Sequence, residues 1–276
     1  MRPVKNFLEE SNGHRPPMRK PLIAGNWKMY KTLAEASEYV LAFREAVADV
    51  VVVDVLLCVP APLCSPLAKL LRESNVQVGA QNLHWEEKGA FTGEVSGPML
   101  ESVGCNYVLV GHSERRHIFG ETDEEVNRKL RAALAAYLTP IFCIGETLEQ
   151  REAGETNTVL TRQVTEGLKG FTAEEVAKMV IAYEPVWAIG TGVTATPNQA
   201  NEAQRVVREL VKAQAGPEVA DALRILYGGS VKPDNIAELM REPEIDGALV
   251  GGASLSVESF VKIVKFYDIP EPETRQ

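Results

Sequence analysis

The sequence has few of the residues on which metal centres and disulfide frameworks depend. Its 276 residues include only four cysteines and four histidines, and these form neither a CxxC pair nor an HExxH motif. Three of the cysteines lie in or beside apolar runs, so we expect all four to be reduced core residues of a cytoplasmic protein. The scarcity of histidine and cysteine predicts that the protein has no metal site.

Basic residues and long apolar segments are scarce too. Lysine and arginine total 29 against 38 aspartates and glutamates, a formal net charge of -9. A general nucleic-acid surface needs a clustered basic face that displaces counterions from phosphates, so we expect no nucleic-acid partner. No apolar run approaches the roughly 18 residues of a membrane-spanning helix, which predicts no membrane association. Any anionic ligand must therefore be held by local groups.

The two ends of the chain differ from its middle. Residues 1–17 are polar, include Pro16 and Pro17, and lack the apolar segment of a secretory signal. They are predicted to form a disordered extension. Residues 18–270 are predicted to form one catalytic domain, and residues 271–276 a solvated tail.

Short apolar runs alternate with amphipathic segments along residues 18–270. Runs typical of strands occupy residues 22–25, 55–59, 76–80, 107–110, 140–144, 180–183, 224–227 and 247–250. Helical periodicity occupies residues 33–50, 123–138, 197–213, 235–240 and 256–264. Intervals of about 20 to 45 residues between strands suit parallel strands joined by crossover helices. The pattern is that of an α/β protein.

Two architectures accommodate eight such units, a closed barrel and an open doubly wound sheet. No break in composition divides the chain into halves, which favours a single-domain, eight-stranded parallel (β/α)8 barrel. In such a barrel the carboxyl ends of all strands share one rim, where barrel enzymes carry their active sites. Polar residues and glycines follow most of the predicted strands, so we expect them to gather at that rim.

Taken singly, the strand-end residues have ordinary interpretations. Glu184, which precedes a proline, can be a solvated turn carboxylate. His112 can be a hydrogen-bonded strand-end histidine, and Lys28 a surface charge. Only their convergence on one rim would give them a shared function.

Glycines late in the chain indicate phosphate binding. Those after the last two predicted strands let backbone N–H groups approach an anion, at a position where barrels commonly hold phosphate. The stretch from Gly190 superficially fits a dinucleotide motif, but that motif usually lies early in a chain and precedes an acidic residue. A Walker loop is excluded there because Val193 stands where lysine is required. We therefore expect no cofactor.

Five segments together resemble a known family. GNWKM (25–29), GHSERR (111–116), AYEPVWAIGTG (182–192), YGGSV (227–231) and LVGGASL (249–255) are similar, in order and spacing, to signature segments of the triosephosphate isomerase family. The resemblance covers residues 18–270 and implies a TIM barrel. It also implies the interconversion of dihydroxyacetone phosphate and glyceraldehyde 3-phosphate through an enediolate.

The resemblance implies a role for each site residue. Glu184 would be the base that moves a proton between adjacent carbons, and His112 the neutral electrophile that polarises the carbonyl. Asn26 and Lys28 would bind substrate and stabilise the developing oxyanion, with Glu114 in a supporting role. Backbone N–H groups would hold the phosphate, namely those of Gly190, Ser230, Gly251 and Gly252.

Two loops complete the implied site. A lid with a stiff first hinge would exclude water on closing. It would comprise Pro185, Val186, Trp187, Ala188, Ile189, Gly190, Thr191 and Gly192, followed by a second hinge at Val193 to Ala195. The segment 81–94, with Thr92 near its tip, would insert into a partner subunit, so a homodimer is expected.

Two other functions stay open on the sequence alone. Lys28 could be the Schiff-base nucleophile of an aldolase-like barrel enzyme, which requires a lysine desolvated enough to be neutral. A non-catalytic scaffold could also keep the fold. Such a scaffold would have little reason to keep Glu184, His112, Lys28 and the phosphate glycines together.

Overall fold

Eight parallel strands close into one barrel in the computed structural model of this chain, which describes residues 19–190 and 194–269. Each strand pairs with the next in chain order, and the last pairs with the first. The strands are β1 Leu22–Asn26, β2 Asp54–Val59, β3 Val76–Ala80, β4 Tyr107–Val110, β5 Thr139–Ile144, β6 Val180–Tyr183, β7 Arg224–Tyr227 and β8 Gly247–Val250. The predicted (β/α)8 barrel is confirmed, and every predicted strand is present with ends within one residue. The predicted extension, 1–17, and tail, 271–276, lie outside the described residues.

Helices surround the barrel. They are α1 Leu33–Ala46, α2 Ala61–Leu71, α3 Gly97–Ser102, α4 Ser113–His117, α5 Asp123–Ala135, α6 Leu148–Glu152, α7 Thr156–Gly167, α8 Ala173–Val176, α9 Pro197–Ala215, α10 Pro217–Ala222, α11 Ile236–Leu239 and α12 Val257–Val264. Short 3-10 turns occupy Val186–Ala188, Gly252–Leu255 and Phe266–Asp268. Within the described ranges, no helix has the length and apolar character needed to cross a membrane.

Threonine caps fix where several helices begin. In α9, the backbone N–H of Gln199 donates to the Thr196 hydroxyl (3.2 Å), and the backbone N–H of Thr196 donates to Gln199 Oε1 (3.0 Å). This reciprocal capping box satisfies donors that the first helical turn leaves unpaired, and such a cap contributes about 1 kcal/mol. The same arrangement begins other helices at Thr32, Thr122, Thr147 and Thr172.

Helix ends differ from the prediction, and seven helices, α2, α3, α4, α6, α7, α8 and α10, were not predicted; α2 and α7 are the longest of these. The predicted helix 33–50 is too long, since the helix ends at Ala46. The prediction ran on because Val47 and Val50, which are buried after the helix ends, continue its apolar spacing. The helix α2 was not predicted, since it contains two prolines, one in its first turn and one at Pro66. The helix α7 was also missed, because its threonines and valines are weak helix formers.

The strands are buried on both faces. Alternate residues point into the barrel and fill it with Leu22, Ala24, Leu56, Cys58, Tyr107, Leu109, Ile141, Cys143, Val180, Ala182, Leu226 and Leu249. The intervening residues, such as Ile23 and Leu57, pack against the helices in a larger core. Because the interior is filled with side chains, a ligand site has to lie at a rim.

Candidate active site

A cavity of about 350 Å³ opens at the carboxyl ends of the strands. It is lined by residues that follow five different strands and are far apart in the chain. Those predicted from the sequence are Asn26, Lys28, His112, Glu184, Gly190, Ser230, Gly251 and Gly252. The barrel therefore brings the predicted base, electrophile and anion-binding groups into one cavity.

Glu184 lies directly after β6 and is almost completely buried (2% exposed). Its Oε1 lies 3.0 Å from His112 Nε2, and its Oε2 accepts a hydrogen bond from the backbone N–H of Ser113 (2.8 Å). Gly228, after β7, packs against the carboxylate side chain: a Cβ at that position would come within 2.8 Å of Glu184 Cγ. A glycine is therefore needed beside the carboxylate.

Hydrogen bonds decide which ring nitrogen of His112 carries the proton. The backbone N–H of Glu114 donates to Nδ1 (3.2 Å), so Nδ1 is an acceptor. Nε2 faces the Glu184 carboxylate, which only accepts when ionised, so Nε2 carries the hydrogen. The Asn26 Nδ2 atom lies 3.2 Å from Nε2, but its hydrogens cannot bond to a nitrogen that is itself a donor. The neutral ring thus presents an N–H to the cavity.

Two opposing influences set the pKa of His112. Burial lowers this pKa, whereas the carboxylates of Glu184 and Glu114 raise it, and the net pKa lies above the ordinary value of a histidine. Protonation of the ring would have to break the hydrogen bond that Nδ1 accepts, which opposes the imidazolium. The charge state of His112 therefore depends on where the Glu184 carboxylate lies.

Lys28 adopts a left-handed backbone conformation (φ 53°) that is uncommon outside glycine. Two hydrogen bonds hold it there: its N–H donates to Asn26 Oδ1 (3.0 Å), and its carbonyl accepts from Gln81 Nε2 (2.8 Å). The Lys28 ammonium donates to Glu114 Oε1 (2.6 Å), and Glu114 Oε2 lies 3.7 Å from His112 Nδ1. The structure thus places Glu114 beside both Lys28 and His112.

Glycine-rich turns after β7 and β8 form the other end of the cavity. Among the described residues, no acceptor is found for the backbone N–H groups of Gly190, Ser230 and Gly252. The Asn235 side chain braces the first turn, because it accepts from the backbone N–H of Lys232 (2.8 Å) and donates to the Ser230 carbonyl (3.0 Å). Free N–H groups on a braced turn suit an anion.

The first hinge of the predicted lid is anchored to Glu146, which follows β5 and is fully buried. The Trp187 indole N–H and the Tyr183 hydroxyl each donate to Glu146 Oε1 at 3.0 Å. The backbone N–H of Val186 donates to the Glu146 carbonyl (3.0 Å), and the Arg151 guanidinium lies 4.5 Å from the Trp187 ring centre. This end of the lid is therefore tied to the barrel.

The rest of the lid is described only in part. Ile189 and Gly190 line the cavity directly. Thr191, Gly192 and Val193, which were predicted to belong to the lid and its second hinge, lie outside the described residues.

The predicted dimer segment is an exposed excursion between β3 and α3. Residues 86–94 are exposed, including Thr92. Beside this segment lies a second cavity of about 550 Å³, and its lining includes Met29, Phe119, Gly93 and Lys28. The cavity therefore also reaches Asn26 and Lys28, the predicted substrate-binding residues at the end of β1.

Several residues that contact the site received no role from the sequence. Gln81 directly follows β3, Ser113 lies shortly after β4 and Glu146 shortly after β5, so all three obey the rule that polar residues gather at the rim. Gln163 gave no such signal, because it lies in the middle of α7. Its Oε1 accepts from the backbone N–H of Gly145 (2.7 Å) and its Nε2 donates to the Gly145 carbonyl (3.2 Å).

The groups gathered in the cavity suit an anionic organic ligand better than a metal. In the part of the chain that the structure describes, no three His, Cys, Asp or Glu side chains are arranged to hold a metal ion. The carboxylate of Glu184 instead faces hydrogen-bond donors on His112 and Ser113. The prediction of a metal-free site stays open to a chelator test.

Comparison with known proteins agrees with this geometry. The family model described as triosephosphate isomerase matches residues 21–267. The chain is 58% identical over 248 residues to the triosephosphate isomerase of Carboxydothermus hydrogenoformans, an alignment covering 90% of this chain and 99% of the relative. It is 54% identical over 252 residues to that of Roseiflexus sp., covering 91% and 99%. The crystal structure of triosephosphate isomerase from Bartonella henselae matches with a TM-score of 0.82 at 39% identity, covering 90% of this chain and 99% of that chain. This chain therefore belongs to the triosephosphate isomerase family.

Proposed function

We propose that this protein is an aldose–ketose isomerase that interconverts dihydroxyacetone phosphate and D-glyceraldehyde 3-phosphate through an enediolate, in glycolysis and gluconeogenesis. One observation carries the proposal: the Glu184 carboxylate and the His112 Nε2–H lie 3.0 Å apart in one cavity. A base and a hydrogen-bond donor at this separation can act on adjacent atoms of one small substrate. Membership of the triosephosphate isomerase family supports the same reaction.

Glu184 moves the proton in this mechanism. Its two oxygens contact the His112 ring and the backbone N–H of Ser113, so the carboxylate has to turn from both to reach a substrate carbon. Once it has turned, a carboxylate oxygen is free to accept the proton from the substrate carbon. A positioned base of this kind contributes about a hundredfold to ten-thousandfold to the rate.

The substrate oxygens gain negative charge as the proton leaves carbon. The His112 Nε2–H, the Asn26 amide N–H and the Lys28 ammonium face the same cavity and can donate to those oxygens. Because these donors are held in place before reaction, each is worth on the order of a hundredfold to a thousandfold in turnover. Glu114 supports them by holding the Lys28 ammonium.

The phosphate end of the substrate lies against the turns after β7 and β8. Backbone N–H groups of Gly190, Ser230, Gly251 and Gly252 bind it through local dipoles, which an acidic protein can do despite its net charge. The lid then closes over it, with Pro185 to Trp187 as the first hinge. Closure excludes water and keeps the phosphate from swinging into the orientation in which the enediolate eliminates it.

Two competing functions are weaker. A Schiff-base enzyme would need a neutral Lys28, whereas the Lys28 amine donates to the Glu114 carboxylate at 2.6 Å as an ammonium does. Borohydride reduction in the presence of substrate would trap an adduct on Lys28 only in that enzyme. A non-catalytic scaffold would have no use for the buried Glu184 carboxylate beside His112.

The protein is further proposed to be a cytoplasmic homodimer. Apolar side chains rim the cavity of about 550 Å³, and the exposed segment that carries Thr92 is available to enter the same cavity of a second copy. A pair of such insertions related by a two-fold axis gives a closed dimer.

The test is isomerisation of D-glyceraldehyde 3-phosphate in a coupled assay in buffer containing EDTA, with wild type beside Glu184→Gln. We expect fast turnover by the wild type and a kcat at least about a thousandfold lower in the variant, because the base is lost. Glu209→Gln, which makes the same change on the exposed face of α9, is the matched control. A Glu184→Gln variant that keeps more than about a tenth of the activity would exclude Glu184 as the base. Absence of turnover by the wild type would overturn the proposed reaction.

A further inference from the structure

The substrate and the protein repel one another at long range. The protein has a formal net charge of -9, and a phosphate monoester carries about -1.5 to -2 at neutral pH. A repulsive average field slows the encounter of two anions unless the mouth of the site is locally positive. Under the proposed function, a residue at the mouth of the cavity therefore has to supply positive charge.

Among the described residues, three that carry a charged side chain line the active-site cavity: Glu184, Lys28 and Lys232. Glu184 has the wrong sign for a phosphate. Lys28 is paired with the Glu114 carboxylate at 2.6 Å, so its charge is largely compensated at a distance. In the described part of the chain, no carboxylate lies within ion-pair distance of the Lys232 ammonium, and the side chain is exposed.

The backbone of Lys232 has a fixed place beside the phosphate end of the cavity. Its N–H donates to Asn235 Oδ1 (2.8 Å), and the same Asn235 side chain holds the carbonyl of Ser230 (3.0 Å). The Lys232 carbonyl accepts from the backbone N–H groups of Asn235 and Ile236. The backbone is therefore braced while the four-carbon side chain is free to follow a ligand.

We infer that Lys232 is the second cation of this site, and that its uncompensated charge draws the phosphate of the substrate to the mouth of the cavity. Lys28 acts on the reacting oxygens, whereas Lys232 acts on the phosphate before and during binding. One unit charge at a solvent-exposed mouth changes the association of a divalent anion by about threefold to tenfold at low ionic strength. This effect falls as salt shortens the Debye length to about 3 Å at 1 M.

The test is steady-state kinetics of Lys232→Met as a function of ionic strength. We expect kcat/KM for D-glyceraldehyde 3-phosphate to fall about threefold to tenfold at low salt, chiefly through KM, and to converge with wild type at high salt. The inhibition constant of inorganic phosphate should rise by a similar factor. Turnover of unphosphorylated D-glyceraldehyde should stay unchanged, because that substrate carries no charge.

Matched variants separate this role from a general loss of charge. Lys178→Met removes an exposed lysine that precedes β6, at the opposite end of the barrel, and should behave as wild type. Lys232→Arg keeps the charge and should keep the wild-type dependence on salt. The inference is overturned if Lys232→Met matches Lys178→Met, or if its deficit persists at high salt or extends equally to D-glyceraldehyde.

The inference and the proposed function fail in different ways. A wild type that does not isomerise D-glyceraldehyde 3-phosphate overturns the proposed function. Direct titration with inorganic phosphate then tests the role of Lys232 without turnover. Phosphate binding by Lys232→Met that is weaker than wild type at low salt but not at high salt supports the role, and equal binding at both overturns it.

Discussion

At the scale of single residues, His112 has to serve two partners that make opposite demands. The backbone N–H of Glu114 requires an unprotonated Nδ1, whereas the nearby carboxylates favour the imidazolium. Hydrogen bonding fixes the tautomer, and charge sets how easily the ring is protonated. Removing one charge at a time separates these influences.

We expect Glu184→Gln to lower the pKa of His112. Burial lowers that pKa and persists in the variant, while the largest charge that raises it, the Glu184 carboxylate, is lost. Titration of the His112 ring by NMR measures the change, and the ring nitrogen shifts report whether Nε2 carries the hydrogen in the neutral form.

Two further variants fix the sign of each effect. Glu114→Gln should lower the pKa of His112 by less than Glu184→Gln does, because Glu114 raises it less. Lys28→Met should raise the pKa, because a neighbouring positive charge is removed. A pKa that stays unchanged or rises in Glu184→Gln would contradict the coupling of His112 to the carboxylate.

At the scale of elements, helix α7 reaches the backbone of Glu184, the proposed base, through one glutamine. The Gln163 amide holds both the N–H and the carbonyl of Gly145, and the neighbouring Ile144 carbonyl accepts from the backbone N–H of Glu184 (2.7 Å). The buried Gln163 side chain on α7 thus fixes the chain at the end of β5, and the backbone of Glu184 is hydrogen-bonded to that end.

We expect Gln163→Leu to lower kcat by about tenfold to a hundredfold with little change in KM, because a base displaced by even a fraction of an ångström loses alignment. The unfolding free energy should also fall by about 1 to 3 kcal/mol, since the Gly145 peptide loses both buried partners. Steady-state kinetics and urea unfolding measure the two effects.

Gln204→Leu is the matched control. Gln204 is equally buried on α9, where its amide nitrogen donates to the carbonyls of Glu244 (2.8 Å) and Ile225 (3.0 Å) near the amino end of β7. Its loss should lower stability without lowering kcat. If both variants lowered kcat alike, Gln163 would have only a structural role.

The elements also show which parts of the molecule a sequence can predict. All eight strands followed from apolar runs, because a sheet buried on both faces needs continuous apolar sequence. Rim residues such as Glu184 and His112 followed from their position after those strands. The Gln163 contact could not be predicted, because a glutamine in a helix gives no signal until the packing of that helix is known. The helix α2 was missed because proline normally ends a helix, whereas Pro62 lies in the first turn, where N–H groups have no helical partner, and Pro66 lies inside the helix.

At the scale of the whole molecule, exposed apolar side chains gather around one cavity. Met29 (93% exposed) and Phe119 (69% exposed) line it, and Tyr30 and Ile118 are their exposed neighbours in the chain. An apolar rim of this kind marks an interaction surface. Since Lys28 also lines the cavity, a partner seated there would lie against a residue that is proposed to bind the substrate.

We therefore expect Thr92→Arg to convert a homodimer into a monomer with reduced activity. A long charged side chain on the inserting segment would have to lose its hydration inside the partner's cavity, where the Glu114 carboxylate is already paired with Lys28, and this is costly. Sedimentation velocity should show half the wild-type mass, and kcat should fall by at least about tenfold because Lys28 loses its support.

Thr158→Arg, the same change at an exposed position of α7, should leave a fully active dimer. A Thr92→Arg variant that stays dimeric would exclude the segment from the interface. A fully active monomer would instead show that each barrel holds its catalytic residues without help from a partner.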